Sequence, residues 1–484
     1  PAMFDQPMPG SSETSLGSGR VSARHLELRE FLLGRTNYER TQPGASPRKK
    51  VFKLSRTREL LECLGNPDLR YPVVHVTGTK GKGSTATLVA EILRAAGYRV
   101  GVFTSPHLWN VEERLAVDGC PCPQDQFDAL LEEVQPMVRE MDVAWESSRE
   151  SGPTYFEILT ALAALHFARR GVDLAVFEVG LGGRLDATNV CRPAISVITS
   201  VSYDHTDILG TSLKQIAWEK AGIIKRGVPV VVGFTDPEAM EVIRRVAVKR
   251  AAPWMAPPEH LAYRYHAPRH LEIGDSRGVI ELELRLPNEQ PFALDAELRL
   301  AGEHQARNAL VAVATVRRLV RDLGLRLPLT AYREGLARAV LPSRIEVVHR
   351  KPVVVLDAAH NVASVDALCR TLNECFDARR KWVVFGTTQG KDFEGMLRIL
   401  AGHFHRFMLT QYHGNPRMLP VEVLAEAAAR IIPQRYRVCQ SSEDAWSRVW
   451  NSAGTDDLIC VTGSFFLAAE VGQILAAADT ANGP

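Results

Sequence analysis

Short runs of β-branched and aliphatic residues punctuate the chain: VVHV from 73, YRVGVF from 98, DLAVFEV from 173, AISVIT from 194 and VPVVV from 228. The segments between them are long enough for helices, and this alternation predicts an α/β fold with a parallel sheet. From about 260 to 300 the spacing changes. HLEIGDSRGVIELELRL alternates apolar and polar positions, which predicts antiparallel strands at an edge of the same domain. Beyond Pro342 the first rhythm restarts, with VVVLDAA at 353, KWVVFG at 381, RFMLT at 406, YRVC at 436 and DLICVTG at 457. A second, smaller α/β domain is expected, joined near LPSRIE, where a proline follows the helix-like run TAYREGLARAVL. The chain thus divides into a disordered lead-in over 1–20, a first domain over 21–342, a second over 343–475 and a tail over 476–484.

Composition narrows the picture. A chain of 484 residues, 45% hydrophobic and 24% charged, has globular proportions and room for two domains. Its net charge of +2 supplies no polycation, so no nucleic-acid partner is expected. No apolar run approaches a membrane span, and the first residues lack the apolar core of a signal peptide. Eight cysteines are scattered without a framework, and Cys120-Pro-Cys122 lacks the second pair of a structural zinc site. Reduced thiols and a cytoplasmic setting follow as expectations.

Candidate chemistry concentrates where predicted strands end. VHVTGTKGKGSTATL runs from a strand through Gly78, Gly81 and Gly83 into a helix opened by Ser84-Thr85, which gathers backbone N–H groups around a phosphate chain and adds the charge of Lys82. The spacing is more compact than the common Walker pattern. The loop points to a nucleotide triphosphate without separating kinase, GTPase or ligase. Ser105 in TSPHL lies at the carboxyl edge of the sheet, where its hydroxyl can reach a metal. Glu178 sits near the end of another buried strand, a place that calls for a cation or for an ion pair with Arg184. His205 in SYDHTDILG has a similar placement. Ser212 and Gln215 have capping-box spacing, so the helix that they start carries Leu213, Ile216 and Lys220 on one face. A lysine on an apolar face is either a neutral amine open to covalent modification or a snorkelling or ion-paired side chain.

Together, GTKGKGS, TSPHL, TYFEILTALA, EVGLGGRLDATN, DHTDILGTSLKQIAWEKAGIIKRG, GEHQARNA, LDAAHNVAS, VFGTTQGKD and VTGSFFLAAE resemble, in order, the motifs of the folylpolyglutamate synthase/dihydrofolate synthase family within the Mur-ligase superfamily. The resemblance spans roughly residues 30 to 470. It implies an N-terminal P-loop ATPase domain, a C-terminal Rossmann-like domain and ATP bound between them. Carried over by position, Gly81, Lys82, Gly83 and Ser84 hold ATP phosphates, with Asn308, Arg344, Asp357 and His360 as further ATP contacts. Ser105 and Glu178 match ligands of one magnesium, while His205 and a carbamylated Lys220 match ligands of a second. Lys82, Glu178, His205 and Lys220 form the catalytic set, and Thr154, Tyr155, Phe156, Leu185, Asp186 and Ala187 match segments along the pteroate.

The implied reaction is ATP-dependent addition of L-glutamate to a reduced folate, and also to dihydropteroate, through an acyl phosphate. A monomer is implied by analogy. A Mur-type amino acid ligase on another carboxylate and an inactive nucleotide- or folate-binding relative are the rivals. Three positions depart from the family pattern. Lys80 replaces the usual Asn, adding a charge that strengthens phosphate contact or faces solvent; Ala358 replaces Gly, which matters if the position needs positive φ; and Ser343 stands where a glycine often precedes the arginine.

Overall fold

The computed structural model describes residues 23–39, 52–146, 151–286 and 289–481. The expected lead-in lies outside these residues. The first sheet contains β1 (Val73–Thr77), β2 (Val100–Phe103), β3 (Leu115–Val117), β4 (Leu174–Glu178), β5 (Ile195–Ile198), β6 (Val230–Val232) and β7 (Trp254–Met255). Their spatial order is β3-β2-β4-β1-β5-β6-β7, parallel except for β3 against β2. Every residue of β1 and β4 is buried, because helices cover both faces of this sheet. Helices Lys82–Ala95 and Glu303–Leu323 pack one face, and Tyr155–Arg170 packs the other. The β-branched runs of the sequence are these strands.

The alternating stretch forms a sheet of its own. Strands β8 (Leu261–His266), β9 (Gly278–Leu284) and β10 (Phe292–Leu298) pair antiparallel in the order β10-β9-β8. Their antiparallel pairing is the one expected, and unlike the large sheet this one is buried on a single face. The one-sided pattern explains the difference: Ile280, Leu282 and Leu284 pack into the core shared with Glu303–Leu323, while alternate side chains meet solvent.

The second domain is built on β11 (Glu346–Arg350), β12 (Val353–Leu356), β13 (Lys381–Phe385), β14 (Arg406–Leu409), β15 (Tyr436–Val438) and β16 (Leu458–Thr462), ordered β11-β12-β16-β13-β14-β15. Only β11 runs antiparallel, and no apolar run in the sequence announced it because none of its residues is fully buried. The last helix, Phe465–Ala481, continues through residues 476–481, which the sequence reading had assigned to a tail. Loops following β1 and β5 meet loops following β12 and β13, so the carboxyl ends of the two sheets converge. Among the described residues no helix is long and apolar enough to cross a membrane.

Candidate active site

The glycine-rich loop is shaped by close approach. Gly81 caps the helix Lys82–Ala95 at φ 81°, and a Cβ there would lie 2.2 Å from Asn308 Oδ1. Glycine therefore allows the loop to rest against Asn308, whose side-chain amide donates to Gln305 Oε1 at 3.0 Å. Ser84 is buried in the first turn. Lys82 Nζ stands 3.8 Å from Glu178 Oε1. The Glu178 carboxylate also accepts the Ser105 backbone N–H at 3.3 Å, and burial raises its pKa despite the neighbouring Lys82. Arg184 does not pair with Glu178; its guanidinium goes to Glu219 at 3.1 Å. A buried carboxylate facing one ammonium is thus left beside the phosphate loop.

Across the cleft, the junction LPSRIE is held in an unusual backbone. Ser343 and Ile345 have φ of 55° and 50°, left-handed values that a β-branched residue rarely adopts. Asp357 fastens this turn, accepting the N–H of Ile345 at 3.0 Å and of Ala359 at 2.8 Å. Arg344, set between the two left-handed residues, lies close enough to act electrostatically on both Asp357 and Glu178. His360 points its Nδ1 at the Ala358 carbonyl at 2.9 Å. Ala358 is not among the residues of positive φ, so its side chain is accommodated without strain.

A cavity of about 510 Å³ is lined in part by Asp204, the carboxylate that Lys80 of the loop pairs with. Thr154, Phe156, Leu185, Asp186 and Ala187 line it, together with His205. Tyr155 does not; it is buried in the core, with Arg114 over its ring. Gly180 permits Phe156 to lie on the glycine turn, since a Cβ there would fall 2.6 Å from the ring. Asp186 is buried and oriented by the N–H groups of Leu181 and Thr188 at 2.9 and 3.0 Å; burial raises its pKa. His205 has φ 49° and keeps 41% of its side chain exposed on the cavity wall. Sequence reasoning missed Thr36, Asn37, Tyr38 and Glu39 on one wall and Lys391 and Arg417 of the second domain on another. The Nε of Arg417 is buried without a hydrogen-bond partner. None of these six sits in an element whose periodicity marks it; only Lys391 lies in a motif, VFGTTQGKD.

The capping box reads as expected: Ser212 accepts the Gln215 N–H and Gln215 returns to the cap, starting the helix Leu213–Ala221. Its buried side includes Ile216 and Lys220. Burial, followed by the charge of Lys82, lowers the Lys220 pKa to about 7. The amine is therefore substantially neutral near physiological pH. Among the described residues, no three His, Cys, Asp or Glu side chains converge to hold a metal unaided. The donor set still suits magnesium, which binds through one or two carboxylates and completes its shell with phosphate oxygens and water.

Residues 76–316 match the Mur ligase middle domain, and residues 343–465 match the Mur ligase, glutamate ligase domain. The dihydrofolate synthase/folylpolyglutamate synthase of Bacillus subtilis is 34% identical over 92% of this chain and 98% of its own length. Its Mycobacterium tuberculosis counterpart is 39% identical over 81% of each chain. Among solved structures, M. tuberculosis folylpolyglutamate synthase complexed with ADP and AMPPCP matches with a TM-score of 0.82 at 34% identity, covering 94% of this chain and 98% of that one. E. coli FolC in complex with DHPP and ADP matches at 0.77 and 29% identity, covering 95% and 99%. Two converging α/β sheets, a glycine-rich loop after β1 and a cavity shared between the domains accompany these matches, and the chain belongs to the folylpolyglutamate synthase/dihydrofolate synthase family of ATP-dependent Mur ligases.

Proposed function

We propose that this chain joins L-glutamate to the γ-carboxyl of a reduced folate and also to the carboxyl of dihydropteroate, at one site and with one ATP per bond. One observation carries the reading: Phe156 and the glycine turn of the first domain line the same cavity as Lys391 and Arg417 of the second. An apolar wall suits a planar pteridine and aminobenzoyl group. Arg417, whose Nε is buried without a hydrogen-bond partner, suits a carboxylate of the glutamate. The relatives from B. subtilis and M. tuberculosis carry both activities in their names, whereas the Lacticaseibacillus casei relative carries only folylpolyglutamate synthase.

In this reading Lys82 and the N–H groups of Gly81, Gly83 and Ser84 hold the ATP phosphates, with Asn308 bracing the loop. Arg344, Asp357 and His360 border the nucleotide from the junction and the second domain. Glu178 and Ser105 would hold one magnesium, and His205 with a carbamylated Lys220 a second; bound magnesium supplies charge neutralisation among the phosphate oxygens. Lys82 reduces the repulsion between the substrate carboxylate and the γ-phosphate that it attacks. The resulting acyl phosphate is then attacked by the glutamate amine, forming the amide and releasing phosphate. Arg417 orients the incoming amino acid, and the second domain keeps water from the acyl phosphate. One chain contributes both halves of the site, as a monomer requires, and eight unpaired cysteines suit a cytoplasmic setting.

The test is mass spectrometry of products after incubation with ATP, magnesium, glutamate and either dihydropteroate or tetrahydrofolate. A glutamate-sized gain with both acceptors supports the bifunctional reading. Gain with one alone narrows it to that activity, and no gain with either, while ATP still binds, overturns it.

A further inference from the structure

Lys80, which departs from the family loop, neither faces open solvent nor points free into the phosphate site. Its ammonium lies 2.9 Å from Asp204 Oδ2 and 3.2 Å from His360 Nε2. Its backbone N–H donates to Ser200 Oγ at 3.0 Å. Because His360 Nδ1–H is directed at a carbonyl, Nε2 is the acceptor, and the neighbouring charge of Lys80 holds this ring neutral. Asp204 in turn receives Lys391 Nζ at 2.8 Å on its other oxygen and the Asn361 amide at 3.5 Å. Each Asp204 oxygen thus faces an ammonium, one from either domain. One residue of the phosphate loop and one of the cavity wall thereby meet three residues of the second domain.

We infer that Lys80 is a positioning residue that fastens the phosphate loop to the second domain through Asp204 and His360, keeping the loop in register with Lys391. The physical argument is geometric. An acyl phosphate formed over the loop has to meet an amine held by the second domain, and small misplacements of reacting groups are costly in rate. The Asp204 carboxylate, sandwiched between ammonium groups of the two domains, is paired on both sides only while the domains are together. Lys80 thus does through salt bridges what a phosphate contact would do through the nucleotide.

The kinetic part of this inference rests on the ligase reading; the structural part does not. Lys80→Met is expected to bind a non-hydrolysable ATP analogue within about 3-fold of the parent, while kcat for ligation falls about 100-fold and KM for glutamate rises. Lys80→Arg should recover most of the loss. In the unliganded protein, amide hydrogen exchange over residues 357–362 should accelerate in Lys80→Met, a readout that needs no turnover. Analogue affinity falling in parallel with kcat would make Lys80 a phosphate contact and overturn the inference. Unchanged exchange over 357–362 would overturn it as well. If the parent shows no ligation at all, the proposed function fails and hydrogen exchange alone decides for or against the role of Lys80.

Discussion

Two buried acids end strands in the two sheets, and they do different work. Glu178 closes β4 and Asp357 follows β12 directly; burial raises the pKa of both. Asp357 directs one oxygen to each of two backbone N–H groups, tying the strained LPSRIE turn to the second sheet. Glu178 receives a single N–H and otherwise faces Lys82 at 3.8 Å, longer than a hydrogen bond. Asp357 shapes the backbone that borders the cleft, whereas Glu178 keeps an oxygen available to a cation. An acid at a strand end is therefore an ambiguous signal until its backbone partners are known.

The contrast is sharpest under substitution. Glu178→Gln keeps shape and removes charge, and kcat for ligation is expected to fall about 100- to 1000-fold. Its thermal unfolding should stay close to the parent's. Asp357→Ala should instead leave two buried N–H groups unpaired and cost about 1–3 kcal/mol in denaturant unfolding. If Asp357→Ala proves as stable as the parent, the structural assignment of this acid is wrong.

Lys220 adds a pH arm. With a pKa near 7, its ammonium form dominates below that value and the neutral amine above it. Carbamylation joins the neutral amine to CO2 and releases a proton, so at a fixed ¹³CO2 concentration labelling of this lysine should fall at least about tenfold per pH unit below 7. Incorporation that does not respond to pH between 5.5 and about 7.5 would separate Lys220 from this chemistry.

The smallest effects test the two missing glycines. Ser343 sits at φ 55°, so Ser343→Gly should relieve strain and raise stability by about 1 kcal/mol. Ala358 is outside the positive-φ set, so Ala358→Gly should lower stability by about 0.4–1 kcal/mol through the unfolded chain. Opposite signs in one urea titration would confirm that the turn held by Asp357, and not the residue after it, carries the strain.

Much of the first domain was legible because local rules governed it. Buried β-branched runs became strands, and Ser212 with Gln215 capped their helix as their spacing required. The glycine-rich turn after β1 was legible as a turn, whereas the close approaches that require Gly78 and Gly81, to Thr199 and Asn308, were not. Nor were other partners far apart in sequence. Lys391 reaches Asp204 across 187 positions, and Lys80 reaches His360 across 280, distances over which no periodic pattern carries information. Tyr155 was placed with its neighbours by motif alone, although the first turn of its helix rotates it from the cavity into the core. The antiparallel strands of residues 261–298 were legible from their alternation, which reports the buried face but not which strand lies alongside.

Trp109 offers an optical handle on the same architecture. Its indole is 48% exposed, yet its Nε1–H donates to the Ala469 carbonyl at 3.3 Å, on the last helix of the second domain. The fluorophore thus belongs to one domain and its hydrogen-bond acceptor to the other. Separation of the domains would hydrate the indole and move its emission to longer wavelength, so a chain with its other six tryptophans replaced would carry a built-in gauge of opening that needs no attached dye.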